Sequence, residues 1–123
     1  MRFLDSGNAH EWAGTFTADG VFLANAHPEP QSGREAIRTA AEKTSAQLAE
    51  QGIQRRHWLG MLEVEEREDG SVEAHTYALI INTVQGGKPE VLLSCSCDDV
   101  LVREGDGQLR VKHRQVYRDD LPK

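Results

Sequence analysis

Positive charge is scarce in this chain. It has 14 Lys and Arg against 20 Asp and Glu, a net charge of -6, and the acidic residues are spread rather than blocked. Nucleic acid and anionic membranes both need a basic patch, so neither is expected as a partner. No apolar run reaches the ~20 residues of a membrane span, and no signal peptide is visible. Cysteine is rarer still, with only Cys95 and Cys97. At i and i+2 of an extended segment they share a face, with poor geometry for a mutual disulfide. A reducing cytoplasm is the simple expectation. The histidines show neither H-x-H nor H-E-x-x-H spacing, so no metal site is expected. There is no phosphate loop, no dinucleotide fingerprint and no G-x-S-x-G elbow; "EGDGQ" is a hairpin turn. Repeats, low-complexity segments and linkers are also missing. A chain of 123 residues that is 38% hydrophobic suits one domain, 1–123, around one core.

What is present reads as α+β. "MRFLDSGN" has the look of a last helical turn or two ending near Gly7. In "NAHEWAGTF", Asn8 is a plausible N-cap and Glu11 completes a capping-box pattern. Trp12 and Phe16 lie four apart, on one helical face. "TADG" then turns into a short strand, "VFLAN". After the loop "AHPEPQSG", Ser32 and Glu35 repeat the capping box and open a helix from about Gly33 to Gln51. Its apolar stripe is modest: Ala36, Ile37, Ala40, Ala41 and Leu48. Gly52 is its stop signal. Four strands follow, at 55–67, 72–84, 90–103 and 108–118, separated by the glycine turns "EDGS", "QGGK" and "EGDGQ". Helices followed by an antiparallel meander predict helices packed on a curved sheet.

The strands are apolar on both faces. In 72–84, Val72, Ala74, Ala78, Ile80 and Val84 oppose Tyr77, Leu79 and Ile81. In 90–103, Val91, Leu93, Cys95, Cys97 and Leu101 oppose Leu92, Val100 and Val102. Only one face can cover the helices. The other is expected to meet a second subunit, giving a homodimer through the sheet. Strand 55–67 begins "RRHWLG", where adjacent residues point to opposite faces. Alternation separates His57, Leu59 and Met61 from Trp58, Leu62 and Val64.

Three stretches, "LDSGNAHEWAGTFTADGVF", "PEPQSGREAI" and "RRHWLG", together resemble the nuclear-transport-factor-2-like superfamily. Within it the chain is most similar to SnoaL-like proteins, a branch holding polyketide cyclases, small dehydratases and oxygenase β subunits. "CDDVLVREGDGQLRVKHR" resembles the final hairpin of that family. The resemblance covers nearly the whole chain. It implies a cone-shaped α+β barrel whose helices close one end of a curved sheet around an apolar pocket. It also implies that Asp5, in "FLDSG", and His57 work together. His57, Leu59 and Met61 are then expected inward, and Trp58, Leu62 and Val64 outward, with the two arginines as a solvated rim. A tyrosine upstream of the aspartate in such relatives has no counterpart, because this chain begins at Met1. Their Tyr-x-Asp pattern in the third long strand reads Cys97-Asp98-Asp99 here, so only Asp99 matches.

Under this resemblance the expected function is a cofactor-free enzyme of secondary metabolism. It would cyclise or dehydrate a hydrophobic polyketide-type carbonyl compound by acid–base chemistry. The alternative is a small-molecule-binding or accessory dimer, including an oxygenase β-subunit role. His57 is the leading candidate, since an imidazole gives or takes a proton near neutral pH; the plain alternative is a strand-edge histidine. Asp5 would orient that imidazole, or simply shape the "LDSGN" turn. Asp99 sits on an apolar strand, where a carboxylate is costly unless paired or solvated. It either lines a polar pocket as a further catalytic group or pairs with Arg103 or Arg114. Tyr77 and Trp58 are pocket walls or dimer contacts, and Trp12 and Phe22 pack or line the pocket. Met61 and Arg114 are further pocket candidates, Arg114 near the barrel end with His113. Cys97 is buried packing or pocket lining.

Overall fold

The computed structural model covers residues 1–123. Three helices, α1 (Arg2–Asp5), α2 (Ala9–Ala13) and α3 (Arg34–Glu50), accompany six strands. These are β1 (Phe16–Ala24), β2 (Gln31–Ser32), β3 (Ile53–Glu66), β4 (Val72–Val84), β5 (Glu90–Arg103) and β6 (Leu109–Arg118). The strands form one sheet in the order β2-β1-β6-β5-β4-β3. The meander β3 to β6 is antiparallel, as the glycine turns predict. β1 differs: it lies parallel to β6, so the sheet is mixed rather than purely antiparallel. β2 and β3 are its two edges, so the sheet is curved and open rather than a closed barrel. No helix is long and apolar enough to cross a membrane.

The core is small and sits between the helices and the β1–β6 end of the sheet. Ala9, Trp12 and Ala13 of α2 meet Ile37 and Ala41 of α3, with Phe16 and Val111 from the strands beneath. Phe16 does not extend the α2 helix, as its spacing from Trp12 suggests. The helix stops at Ala13, the Thr15 hydroxyl donates to the Trp12 carbonyl at 2.6 Å, and Phe16 opens β1. The Trp12 and Phe16 rings still meet edge-on, with centroids 5.3 Å apart, a favoured aromatic geometry. "TADG" is therefore strand, not turn. Its Gly20 runs so close to β6 that a Cβ would lie 3.1 Å from the Val111 carbonyl oxygen and from the Phe16 Cβ.

Helix caps divide the same way. Asn8 does cap α2, its side chain accepting from the Glu11 N–H. Ser32 does not cap α3: it lies in β2, and Gly33 holds the N-cap position with φ 93°, a conformation that favours glycine.

β3 carries the largest departure from simple alternation. Its pairing with β4 runs in register to Gly60 opposite Tyr77 and resumes at Glu63 opposite His75. Met61 and Leu62 thus face the single residue Thr76, a β-bulge. Met61 is the one non-glycine residue with positive φ, at 55°. The extra residue moves every later side chain to the other face. Met61 is not inward beside His57 but 76% exposed, and Val64 pairs with Ala74 on the concave face. Up to Gly60 the expected alternation stands.

Candidate active site

A cavity of about 400 Å³ opens between the helices and the concave face of β3 and β1. Its apolar wall includes Trp12, Phe22, Ile37 and Leu48. The long helix contributes Ala40, Ala41, Thr44, Ser45 and Ala49, all small, on its inner side. Small side chains at helical spacing keep α3 close to the sheet yet leave the space unfilled.

Asp5 and His57 share this cavity wall. The four-residue helix α1 delivers Asp5 to the start of β3. One carboxylate oxygen accepts the backbone N–H of His57 at 3.0 Å, and the other lies 2.6 Å from its ring Nδ1. Both side chains are mostly sealed from solvent, with 15% and 11% of their surface exposed for His57 and Asp5. A carboxylate only accepts, so Nδ1 carries the proton and, in the neutral ring, Nε2 is the free base. Nε2 has no protein partner. The arrangement is an oriented imidazole at the edge of an apolar cavity, able to take one proton and be stabilised as the cation.

Arg55, two residues before His57 on the same face, also lines the cavity and is not solvated rim. Its Nε donates to the Asn82 side-chain oxygen at 2.9 Å. Burial draws its pKa below the ordinary arginine value, with the nearby Asp5 charge partly opposing. Ser6, His27, Gln31, Thr44, Ser45 and Gln54 add further polar groups to the wall and were not anticipated. Alternation along "RRHWLG" carried the signal for Arg55. Thr44 and Ser45 interrupt the stripe of Ile37, Ala41 and Leu48, the sequence trace of a polar pocket wall.

The remaining candidates fall elsewhere. Trp12 and Phe22 do line the cavity. Asp99 does not reach it. Both its oxygens are taken by Arg114, with Nε at 2.8 Å and Nη2 at 2.9 Å. Arg114 is only 9% exposed and lies over the Phe16 ring, 5.2 Å from its centroid. The pair is a buried clamp between β5 and β6, which accounts for a carboxylate on an apolar strand and removes Arg114 from the pocket. Cys97 lies beside this clamp, its thiol 3.4 Å from Asp99, and burial pushes its pKa up to about 12. Tyr77 and Met61 sit with Trp58 on the opposite, convex face, away from His57. No three His, Cys, Asp or Glu side chains converge as a metal-ligand set.

With this geometry in view, the chain belongs to the SnoaL-like domain family, whose model matches residues 1–115. Among solved structures it is similar to ActVI-ORFA from Streptomyces coelicolor, with 33% identity and a TM-score of 0.88 over 98% of this chain and 90% of that one. Aln2 from another Streptomyces strain is 34% identical, with a TM-score of 0.88 over 98% and 83% of the two chains. A protein from Catenulispora acidiphila, solved in complex with S-DNPA, is 39% identical, with a TM-score of 0.85 over 98% and 85%. No curated protein matches the chain significantly. The cone-shaped nuclear-transport-factor-2-like fold is thus the fold of this protein.

Proposed function

We propose that this protein is an acid–base enzyme acting on a polyketide-type carbonyl compound bound in the helix–sheet cavity. The observation that carries this is the Asp5 carboxylate on Nδ1 of His57, which leaves Nε2 basic beside an apolar space. Nε2 takes a proton from carbon α to the carbonyl. The C–H pair becomes the carbon–carbon π bond of an enolate, and the carbonyl π pair moves to oxygen. Asp5 stabilises the imidazolium while it lasts. Loss of a β-hydroxyl, to which His57 returns the proton as water leaves, completes a dehydration; attack of the enolate carbon on a second carbonyl, whose π pair moves to its oxygen and takes the proton back from His57, completes a ring closure. All of this uses side chains of the chain itself. A cavity of about 400 Å³ has room for a small multi-ring substrate. Supporting this choice, the chain is structurally similar to proteins from Streptomyces and Catenulispora, one of them solved in complex with S-DNPA.

The same reading includes a homodimer through the convex face of the sheet. Trp58 and Tyr77 there are 69% and 63% exposed, and Leu79 and Val91 extend the apolar surface. Exposed apolar area of this kind marks an association surface.

The test is turnover by His57→Ala. Purified wild type and variant are incubated with aromatic β-hydroxyketones and with poly-β-ketone mimics, and products are followed by mass spectrometry. Wild type forms the dehydrated or cyclised product and the variant does not, while both give the same circular dichroism spectrum. Full activity in His57→Ala removes the proposal; substrate bound without any product by wild type favours a binding protein instead.

A further inference from the structure

We propose that Arg55 is the oxyanion-binding group of the cavity, holding the substrate oxygen that becomes negative as His57 removes the α proton. This assignment rests on the acid–base reading above.

Arg55 is the only Lys or Arg lining the cavity. Its Nε is occupied by Asn82, which fixes the plane of the guanidinium. Neither Nη nitrogen has a protein acceptor, and Arg55 forms no ion pair with any carboxylate. No sealed side-chain nitrogen or oxygen in the structure lacks a partner, so these Nη atoms lie on accessible surface. Asp5, whose charge reaches Arg55, has both oxygens hydrogen-bonded to His57. An anchored cation with open donors, on a residue that lines the cavity, is set up to receive an anion that arrives later.

Spacing and charge both point to the enolate oxygen. Arg55 and His57 are i and i+2 on one strand face, about 6.6 Å apart along the backbone. Before proton transfer the cavity holds Asp5 negative, Arg55 positive and His57 neutral. Afterwards it holds two opposite-charge pairs: imidazolium with Asp5, and enolate with Arg55. Without Arg55 the enolate would have no cationic partner of its own in the cavity, which is costly. Arginine suits the task because its charge persists when desolvated.

The experiment uses 2-naphthol, whose anion is a planar conjugated oxyanion, and 2-methylnaphthalene as the neutral control. Binding to the full chain is followed by naphthol fluorescence across pH. In wild type, bound 2-naphthol is expected to ionise about one unit below its free value, a tenfold preference for the anion. In Arg55→Gln that preference disappears, while 2-methylnaphthalene binds unchanged. Arg55→Gln should also lower kcat by about 100-fold, the usual cost of one oxyanion donor. A wild-type naphthol pKa that is unchanged or raised overturns the assignment, and needs no variant to be read. Equal naphtholate affinity in wild type and a folded Arg55→Gln overturns it too. Naphtholate preference in a wild type that turns nothing over keeps Arg55 as the anion group and removes the enzymatic reading instead. Turnover that needs His57 but ignores Arg55 does the reverse.

Discussion

The carboxylate of Asp5 holds His57 at two points, accepting its backbone N–H at 3.0 Å and meeting its ring Nδ1 at 2.6 Å. One side chain thus fixes both the strand and the imidazole. It also anchors α1, a helix of four residues with none buried.

These two functions separate by substitution. Asp5→Ala leaves the His57 N–H without its acceptor, which is expected to cost about 1–3 kcal/mol of stability. Asp5→Asn keeps an acceptor oxygen but loses the charge that stabilises the imidazolium. Its stability should fall less than that of Asp5→Ala, while its turnover drops about 100-fold or more. Urea unfolding and steady-state kinetics on both variants read the difference. Equal turnover in Asp5→Asn and wild type would leave Asp5 a purely structural anchor.

The convex face makes a separate prediction. Trp58→Asp combined with Tyr77→Asp places like charges across a two-fold sheet interface. Light scattering should report a dimer for wild type and a monomer for the double variant. Neither residue lines the cavity, so naphthalene binding should survive within about a factor of two, the scale of surface effects. A monomeric wild type at micromolar concentration would remove the dimer.

Much of this was legible in the strand pattern. Glycine turns bounded β4 and β5 at the residues where the structure bounds them. Alternation put His57 and Trp58 on opposite faces, and the family resemblance pointed His57 inward. It failed past Gly60 because one inserted residue flips all that follows, and a methionine at φ 55° gives no sequence warning. Asp5 was legible as a partner of His57 only through family resemblance, since 52 positions separate them. For Asp99 the sequence left two readings open, a pocket wall or a pair with Arg103 or Arg114, for a different reason. A lone carboxylate on an apolar strand signals a polar environment, and sequence does not say whether that is a pocket or a salt bridge. Here Arg114, directly opposite on β6, supplies it.

That clamp predicts a stability effect rather than a catalytic one. Asp99→Ala strands the Arg114 charge in the core and should destabilise by about 3–5 kcal/mol. Replacing both, as Asp99→Leu with Arg114→Met, should recover most of the loss, because two desolvated charges leave together. Denaturant midpoints of the singles and the double give the coupling directly. Near-wild-type stability in Asp99→Ala would contradict the clamp.

Cys97 beside it should be inert. With its pKa at about 12 and its side chain buried, it is a neutral thiol throughout the working pH range. Native protein treated with a thiol reagent at mildly alkaline pH should leave Cys97 unlabelled, whereas unfolded protein reacts at both cysteines. Peptide mapping locates the label, and rapid native labelling at Cys97 would place it on an accessible wall after all.

A histidine outside the cavity gives the pH prediction. On the convex face, His75 Nδ1 lies 2.8 Å from Asp98. That hydrogen bond raises the imidazole pKa, desolvation opposes it, and the Asp98, Glu63 and Glu65 charges add to the rise. The folded protein therefore holds this proton more tightly than the unfolded chain does. By linkage the pair's contribution to stability is fully present below the unfolded imidazole value, ~6.5, and is lost as pH rises through the raised folded value. The pair is solvent-exposed, so the effect is small and weakens with salt. Asp98→Asn should bring the His75 titration, followed by NMR, down toward ~6.5 and flatten that part of the stability profile. His75 titrating identically in wild type and Asp98→Asn would show that the contact carries no linkage.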